Sequence, residues 1–198
     1  KHTLPEITRE IQLFAEERLG KGVVIGHDTP NFIANRIGTY GIQIIFQAMK
    51  KWPFSPEWID EFTGPLIGRP KSATFRTLDL VGLDTYAQVV KNVREHSQDQ
   101  EELKVFQTPT IIEKLIAEGS LGEKTKKGFY RKKQHIIQSL DLQTWEYKDK
   151  QKLSIAELAQ IKREKNLAKR LQALFQLDHD IGRFLWYITK KTLLYTAV

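Results

Sequence analysis

Asp28-Thr29-Pro30-Asn31-Phe32-Ile33-Ala34-Asn35-Arg36-Ile37 reads as the opening of a long helix. Asp28 or Thr29 can cap it, and Pro30 suits its first turn, where a missing N–H costs nothing. Apolar residues then recur every three to four positions, so the spacing predicts a helix from about Pro30 to Lys51 with a buried stripe of Ile33, Ile37, Ile44 and Ala48. At ~100° per residue, Asn35 lies ~200° round from Ile33 and faces away from that stripe. A carboxamide on the outer face of a helix start is the first candidate for chemistry. Taken by itself, it is more simply a surface amide.

Helical spacing extends to both sides. Upstream, Leu4, Ile7, Ile11, Phe14 and Leu19 define a helix over Pro5–Leu19 that Gly20 ends, and Val23-Val24-Ile25 reads as a short strand. Downstream, Ser55-Pro56 opens a helix that Gly64 closes, and the Gly- and Pro-rich stretch Gly64 to Ala73 reads as a loop. A short helix follows over Thr74–Val81, and Gly82 breaks it. Asp84 can cap the next helix, to His96. Gln98 to Glu102 is polar and reads as mobile. Thr108-Pro109 opens a helix that ends at Gly119. Gly128-Phe129-Tyr130 is extended, and Ile136 to Tyr147 has the composition of a β-hairpin turning at Asp141–Thr144. Ser154-Ile155-Ala156-Glu157 fits a capping box, which predicts one long helix carrying Leu158, Ile161, Leu171, Leu174 and Phe175. A last helix from Asp178 places Ile181, Phe184, Leu185, Ile188 and Tyr195 on one face.

The composition is that of a globular protein: 198 residues, 40% hydrophobic and 28% charged. With no cysteine, disulfides and thiolate zinc sites are excluded. No apolar run reaches the ~20 residues of a membrane span, and no signal peptide is visible. A cytoplasmic protein is expected. The chain opens on Lys1, with no initiator Met, and reads as an excised segment. The net charge of +7 raises the question of anionic partners. Most basic residues are scattered among acids, as on a solvated helical surface. Only Lys124 to Lys127 and Arg131 to Lys133 cluster, so nucleic acid is not expected as a partner.

Few motifs point to chemistry. Gly20-Lys21-Gly22-Val23-Val24-Ile25-Gly26 imitates a dinucleotide fingerprint, but it follows a helix and enters a strand, the reverse of what that motif requires. The histidines (His2, His27, His96, His135, His179) are not paired at ligand spacing, so no metal is expected. Arg69, Lys71 and Ser72, with the amides of the helix start that follows, could hold a phosphate; the plainer reading is a loop whose charges face water. Lys124 could likewise meet an anion, or lie in a solvated turn. The four tryptophans are better core or interface anchors than base-stacking platforms.

Three blocks, in order, resemble the C-terminal domain of 3-hydroxyacyl-CoA dehydrogenases. They are Asp28-Thr29-Pro30-Asn31-Phe32-Ile33-Ala34-Asn35-Arg36, Thr74-Phe75-Arg76-Thr77-Leu78-Asp79-Leu80-Val81-Gly82-Leu83-Asp84 and Leu121-Gly122-Glu123-Lys124-Thr125-Lys126-Lys127-Gly128-Phe129-Tyr130. Departures exist: many members carry Gly where Asn31 and Lys126 stand, and Gly-Pro where Ala73-Thr74 stands. The resemblance implies a mainly α fold, the 6-phosphogluconate-dehydrogenase-C-terminal-like helical domain, with a short strand near residues 23–26 and a hairpin near 136–147. Residues 1–27 would be the tail of an NAD-binding domain and 28–133 the helical domain. Residues 134–152 would be a linker and 153–198 the cut-off start of a second helical repeat, as in multifunctional β-oxidation proteins.

The resemblance also implies a role. The parent would oxidise L-3-hydroxyacyl-CoA to the 3-oxoacyl-CoA, with NAD bound mainly by the N-terminal domain of the same chain. Asn35 would position the substrate, and Lys124 would contact the cofactor. Arg69, Lys71 and Ser72 are candidates for the CoA. The family's catalytic His–Glu pair belongs to the NAD-binding domain and matches nothing here, so the chain alone should be inactive. The helical domain would also supply a homodimer interface. The rival expectation is a non-catalytic helical interaction module for an anionic or protein partner.

Overall fold

The computed structural model of the protein describes residues 3–150 and 155–197. Among these residues, helices dominate. They are α1 (Pro5–Leu13), α2 (Ala34–Met49), α3 (Pro56–Thr63), α4 (Phe75–Val81), α5 (Leu83–His96), α6 (Gln100–Val105) and α7 (Thr110–Ala117). Three strands follow, β1 (Tyr130–Lys133), β2 (Ile136–Leu140) and β3 (Tyr147–Asp149), and then α8 (Ala156–Ile161), α9 (Leu167–Gln176) and α10 (Asp180–Thr196). The strands form one antiparallel sheet in the order β1-β2-β3. No described helix is long and apolar enough to cross a membrane.

The core is a single aromatic-rich cluster. Helix α2 runs through it, burying Tyr40, Ile44, Ile45, Phe46 and Ala48. Phe46, Phe75 and Phe129 meet on one side of α2, and Trp52, Phe54 and Phe184 pack edge-to-face near its end. Helix α10 lies along α2 and buries Ile181, Phe184, Leu185 and Ile188, the face that the sequence spacing assigns to it. The segment after residue 155 therefore shares the core of the segment before residue 134. Strand β2 also reaches this core through Leu140.

Local signals place most helix ends. Pro56 and Gly64 bracket α3, Gly82 separates α4 from α5, and Gly119, at φ +69°, follows α7. The hairpin turns where expected, with Asp141 Oδ1 accepting from the amides of Gln143 and Thr144.

Several expectations are corrected. Val23-Val24-Ile25 does not form a strand: none of the three strands runs beside it, and Val24 and Ile25 are 78% and 73% exposed. Helix α2 starts at Ala34 rather than Pro30, because Asn31 and Phe32 are both left-handed (φ 63° and 49°), which no helix accommodates. Ile33 consequently falls outside the buried stripe and is exposed. Gln98 to Glu102 is not a mobile stretch: Asp99 Oδ1 accepts from the amides of Glu101 and Glu102 and starts α6. Asp84 is not a cap, since Gly82 holds that position. The long helix after residue 154 is two, α8 and α9. Tight bonds from Arg163 N–H to Gln160 O and from Glu164 N–H to Ile161 O close the first. The Asn166 side chain, accepting from the Lys169 amide, opens the second. Ser154, half of the expected capping box, lies outside the described residues, as does His2.

Candidate functional site

Asn35 stands on the first turn of α2, exposed, and makes no side-chain hydrogen bond among the described residues. No side chain caps this helix, and no acidic residue lies in its first turn. Its free amides and positive dipole end therefore face outward beside the Asn35 carboxamide. Side chains reach this turn from two other helices. Asn31 Nδ2 donates to Val89 O at 3.3 Å, and Asn92 Nδ2 reaches Asn31 Oδ1 at 3.5 Å, both on α5. Arg36 is locked by the carboxylate of Glu102 on α6. Its Nε donates to Glu102 Oε1 at 2.9 Å, and its Nη2 pairs with Oε2.

Glu102 is buried and accepts two further donors, Ser97 Oγ and the Tyr195 hydroxyl. Burial would raise its pKa, but hydrogen bonds from Arg36, Ser97 and Tyr195 outweigh burial and hold it below the usual range. Tyr195, in the last turn of α10, also accepts from Arg36 Nε at 2.9 Å. Its ring stacks on Tyr40, with centroids 3.8 Å apart and planes 2° from parallel.

The second and third sequence blocks meet through Asp79. This buried carboxylate accepts from the amides of Phe129 and Tyr130, each at 2.8 Å. Gly122 and Gly128 press against it so closely that a Cβ on Gly122 would sit 2.7 Å from Asp79 Cα, and a Cβ on Gly128 2.7 Å from Asp79 Cγ. Burial, partly offset by the two amides, pushes the Asp79 pKa up to about 6. The loop so anchored carries Lys124, whose Nζ donates to both oxygens of Asp84 at 2.6 Å at the start of α5. That ammonium, through its hydrogen bond, holds the Asp84 pKa below the usual carboxylate range. Lys124 thus has one donor left for another partner.

The Arg69–Ser72 loop cannot cradle a phosphate in the expected way. Asp60, reaching across from α3, already accepts from the amides of Thr74, Phe75 and Arg76 at 3.0, 2.6 and 2.9 Å. The helix start that was to supply free amides is capped by a carboxylate. Ser72 Oγ is occupied by the Thr77 hydroxyl at 2.9 Å, while Arg69 and Lys71 remain exposed.

No hydrogen bond or ion pair among the described residues joins Asn35, Lys124 and the Arg69–Ser72 loop. A groove of about 880 Å³, walled by Phe46, Met49, Phe54, Trp58 and Ile111, opens near the far end of α2, and Asn35 does not line it. Sequence reasoning missed Asp60, Asp79, Glu102 and Tyr195. Their partners lie far along the chain, and a buried acid carries no local mark. His179 and His96 make only local bonds, His179 Nδ1 accepting from the Ile181 amide and His96 Nδ1 bonding Asn92 O.

The 3-hydroxyacyl-CoA dehydrogenase, C-terminal domain, family matches residues 32–132. A "Probable 3-hydroxyacyl-CoA dehydrogenase" of Bacillus subtilis (strain 168) is 46% identical over 197 residues, covering 100% of this chain and 25% of its own length. A protein of the same description from Deinococcus radiodurans is 42% identical over 130 residues, 66% of this chain and 37% of its own. The chain therefore spans well under half of either relative. Among solved structures, M. tuberculosis FadB2 superposes with a TM-score of 0.55 at 24% identity over 66% of this chain and 44% of that one, a likeness of fold.

Proposed function

From the premise that this chain belongs to the 3-hydroxyacyl-CoA dehydrogenase C-terminal domain family, we propose that it is the substrate-positioning part of an NAD-dependent L-3-hydroxyacyl-CoA dehydrogenase. The parent protein oxidises the 3-hydroxyl of an acyl-CoA to a ketone, passing hydride to NAD. The base and the dinucleotide cradle come from an N-terminal domain of the same polypeptide, and the chain alone does not turn over. The observation that carries this reading is Asn35: an unengaged carboxamide on an uncapped helix start whose next residue is locked in a bidentate ion pair.

In that position the Asn35 amide donates to the thioester carbonyl or the hydroxyl oxygen, and the dipole end of α2 favours the partial negative charge there. The side chain adds no proton transfer. It orients the reacting carbon, which is worth most when the donor is already fixed. Lys124, restrained by Asp84, offers its remaining N–H to a ribose or phosphate oxygen of the cofactor. CoA phosphates that meet Arg69 or Lys71 do so through those side chains, since Asp60 holds the helix amides.

Apolar side chains without cover fit the parts this chain leaves to others. Leu4, Ile11, Phe14 and Leu19 on the α1 arm are each more than half exposed, and no residue of α1 is buried. We assign this face to the N-terminal domain or to a second copy in a homodimer.

The test is NADH formation from 3-hydroxybutyryl-CoA by the full-length protein, by its Asn35→Ala variant and by this chain alone. Asn35→Ala should lower kcat by ~10- to 100-fold and leave the melting temperature unchanged, because the side chain has no structural partner. Turnover by the chain alone, or an unaffected Asn35→Ala enzyme, refutes the reading.

A further inference from the structure

The first turn of α2 has little to hold it from its own side. It follows two left-handed residues, Phe32 and Ile33 are 64% and 46% exposed, and no side chain caps it. Such a helix end frays readily. Beside the Asn31 contacts to α5, what holds it is Arg36, and what holds Arg36 comes from two distant elements, Glu102 on α6 and Tyr195 on α10.

The four donors on Glu102 fill its carboxylate: two from Arg36, one from Ser97 and one from Tyr195. Tyr195 is itself fixed at both ends. Its ring lies flat on Tyr40, one turn of α2 beyond Arg36, and its hydroxyl sits between Arg36 and Glu102. Arg36 follows Asn35 directly, so fixing its backbone fixes the direction of the Asn35 side chain, ~100° round and ~1.5 Å along the helix.

We propose that Glu102 and Tyr195 are positioning residues for Asn35, and that α10, beyond the residues matched by the family, acts as a brace for the substrate-positioning turn. The proposal rests on the functional reading above for the task of Asn35, though not for the brace itself. The brace matters because a donor that wanders by about 1 Å forfeits most of its orientational advantage, on the order of 100-fold in rate.

Tyr195→Phe in the full-length protein is the discriminating variant. It keeps the stack on Tyr40 and removes only the hydroxyl, whereas Glu102→Gln leaves the partly buried Arg36 guanidinium without its counter-charge and can unfold the domain. Two readouts are needed. Hydrogen exchange of the peptide spanning residues 33–40 should be ~10-fold faster in Tyr195→Phe, with exchange over α4 and α7 unchanged. Its kcat should fall ~10-fold with KM for the acyl-CoA within about twofold, and adding Tyr195→Phe to Asn35→Ala should cost about nothing more.

Unchanged exchange over residues 33–40 overturns the brace whatever the activity. Faster exchange with a kcat loss that persists in the Asn35→Ala background overturns the positioning role, because the loss then does not pass through Asn35. Absence of dehydrogenase turnover in the unmodified full-length protein is a separate failure. It removes the functional reading, and the positioning claim falls with it even if exchange still reveals a brace.

Discussion

Gly128→Ala should be among the most damaging single-methyl additions in this domain. The new Cβ would lie 2.7 Å from both Asp79 Cγ and Gly122 Cα, and nearer still to Asp79 Oδ1. Real contacts of this kind seldom fall below 3.4 Å, so the carboxylate or the backbone must move. The backbone has little room. Gly122 is pinned by its own bonds to Lys127, donating to Lys127 O at 2.8 Å and accepting from the Lys127 amide at 3.1 Å. The carboxylate must then swing away, which strips the acceptor from the buried amides of Phe129 and Tyr130. Each stranded amide costs ~1–3 kcal/mol, and the overpacking adds a similar amount, so the expected loss is ~4 kcal/mol. That is a large share of the ~5–15 kcal/mol that holds a typical domain.

Gly119→Ala is the matched control. Gly119 has φ +69° but nothing within 4 Å of its Cβ position, so it should lose only the ~1–2 kcal/mol of left-handed strain. Urea unfolding followed by tryptophan fluorescence measures both variants on one scale. If Gly128→Ala loses no more than Gly119→Ala, the close approach of Gly128 to Asp79 does not exist, and the account of how the second and third blocks lock together is wrong.

Asp79 also predicts a pH dependence. Burial raises its pKa to about 6 from an ordinary 3.8, so between these values the folded protein binds more protons than the unfolded chain. Its contribution to stability is therefore fully present below about pH 4 and is lost as pH rises through about 6, a change of ~3 kcal/mol. Asp79→Asn cannot titrate, so the gap between the two proteins in urea-derived stability should shift by that amount across this window; parallel curves would refute it. Lys126→Gly should instead stabilise by ~0.5–1 kcal/mol, raising Tm by ~1–4 °C in calorimetry, because Lys126 is exposed and left-handed at φ 59°. A lower Tm would mean that the lysine side chain holds the turn.

What was legible in the sequence was local. Pro56, Gly64, Gly82 and Gly119 mark helix ends by their own backbone chemistry, and each lies where the structure ends or begins a helix. The apolar spacing of α10 gave its buried face correctly because that face is set by periodicity alone. The start of α6 was also readable, since Asp99 stands three residues before Glu102, the spacing of a capping pair, and was lost only to the polarity of its surroundings. The strand expected at Val23-Val24-Ile25 shows the opposite limit, because an apolar run becomes a strand only beside another strand.

The candidate site divides along the same line. Asn35 and Lys124 were reachable only through resemblance to a family, because an exposed amide and a lysine in a turn carry no distinguishing pattern. The residues proposed to position Asn35 were not reachable at all: Glu102 and Tyr195 meet Arg36 across 66 and 159 residues of chain. Yet the departures from the family pattern held physical information. Asn31, Ala73 and Lys126 stand where the family resemblance leads one to expect glycine, and all three are left-handed, at φ 63°, 50° and 59°. Each of these positions demands the conformation that glycine adopts without strain, so a residue with a Cβ there costs ~1–2 kcal/mol unless its side chain returns something. Asn31 does, by bonding Val89 O and Asn92 at the foot of the turn that carries Asn35. Lys126 has no such bond among the described residues. The left-handed strain is thus compensated beside Asn35 and uncompensated in the loop that carries Lys124. Asn31 thus bonds the turn from the side of α5, complementing the brace proposed for Arg36 with Glu102 on α6 and Tyr195 on α10.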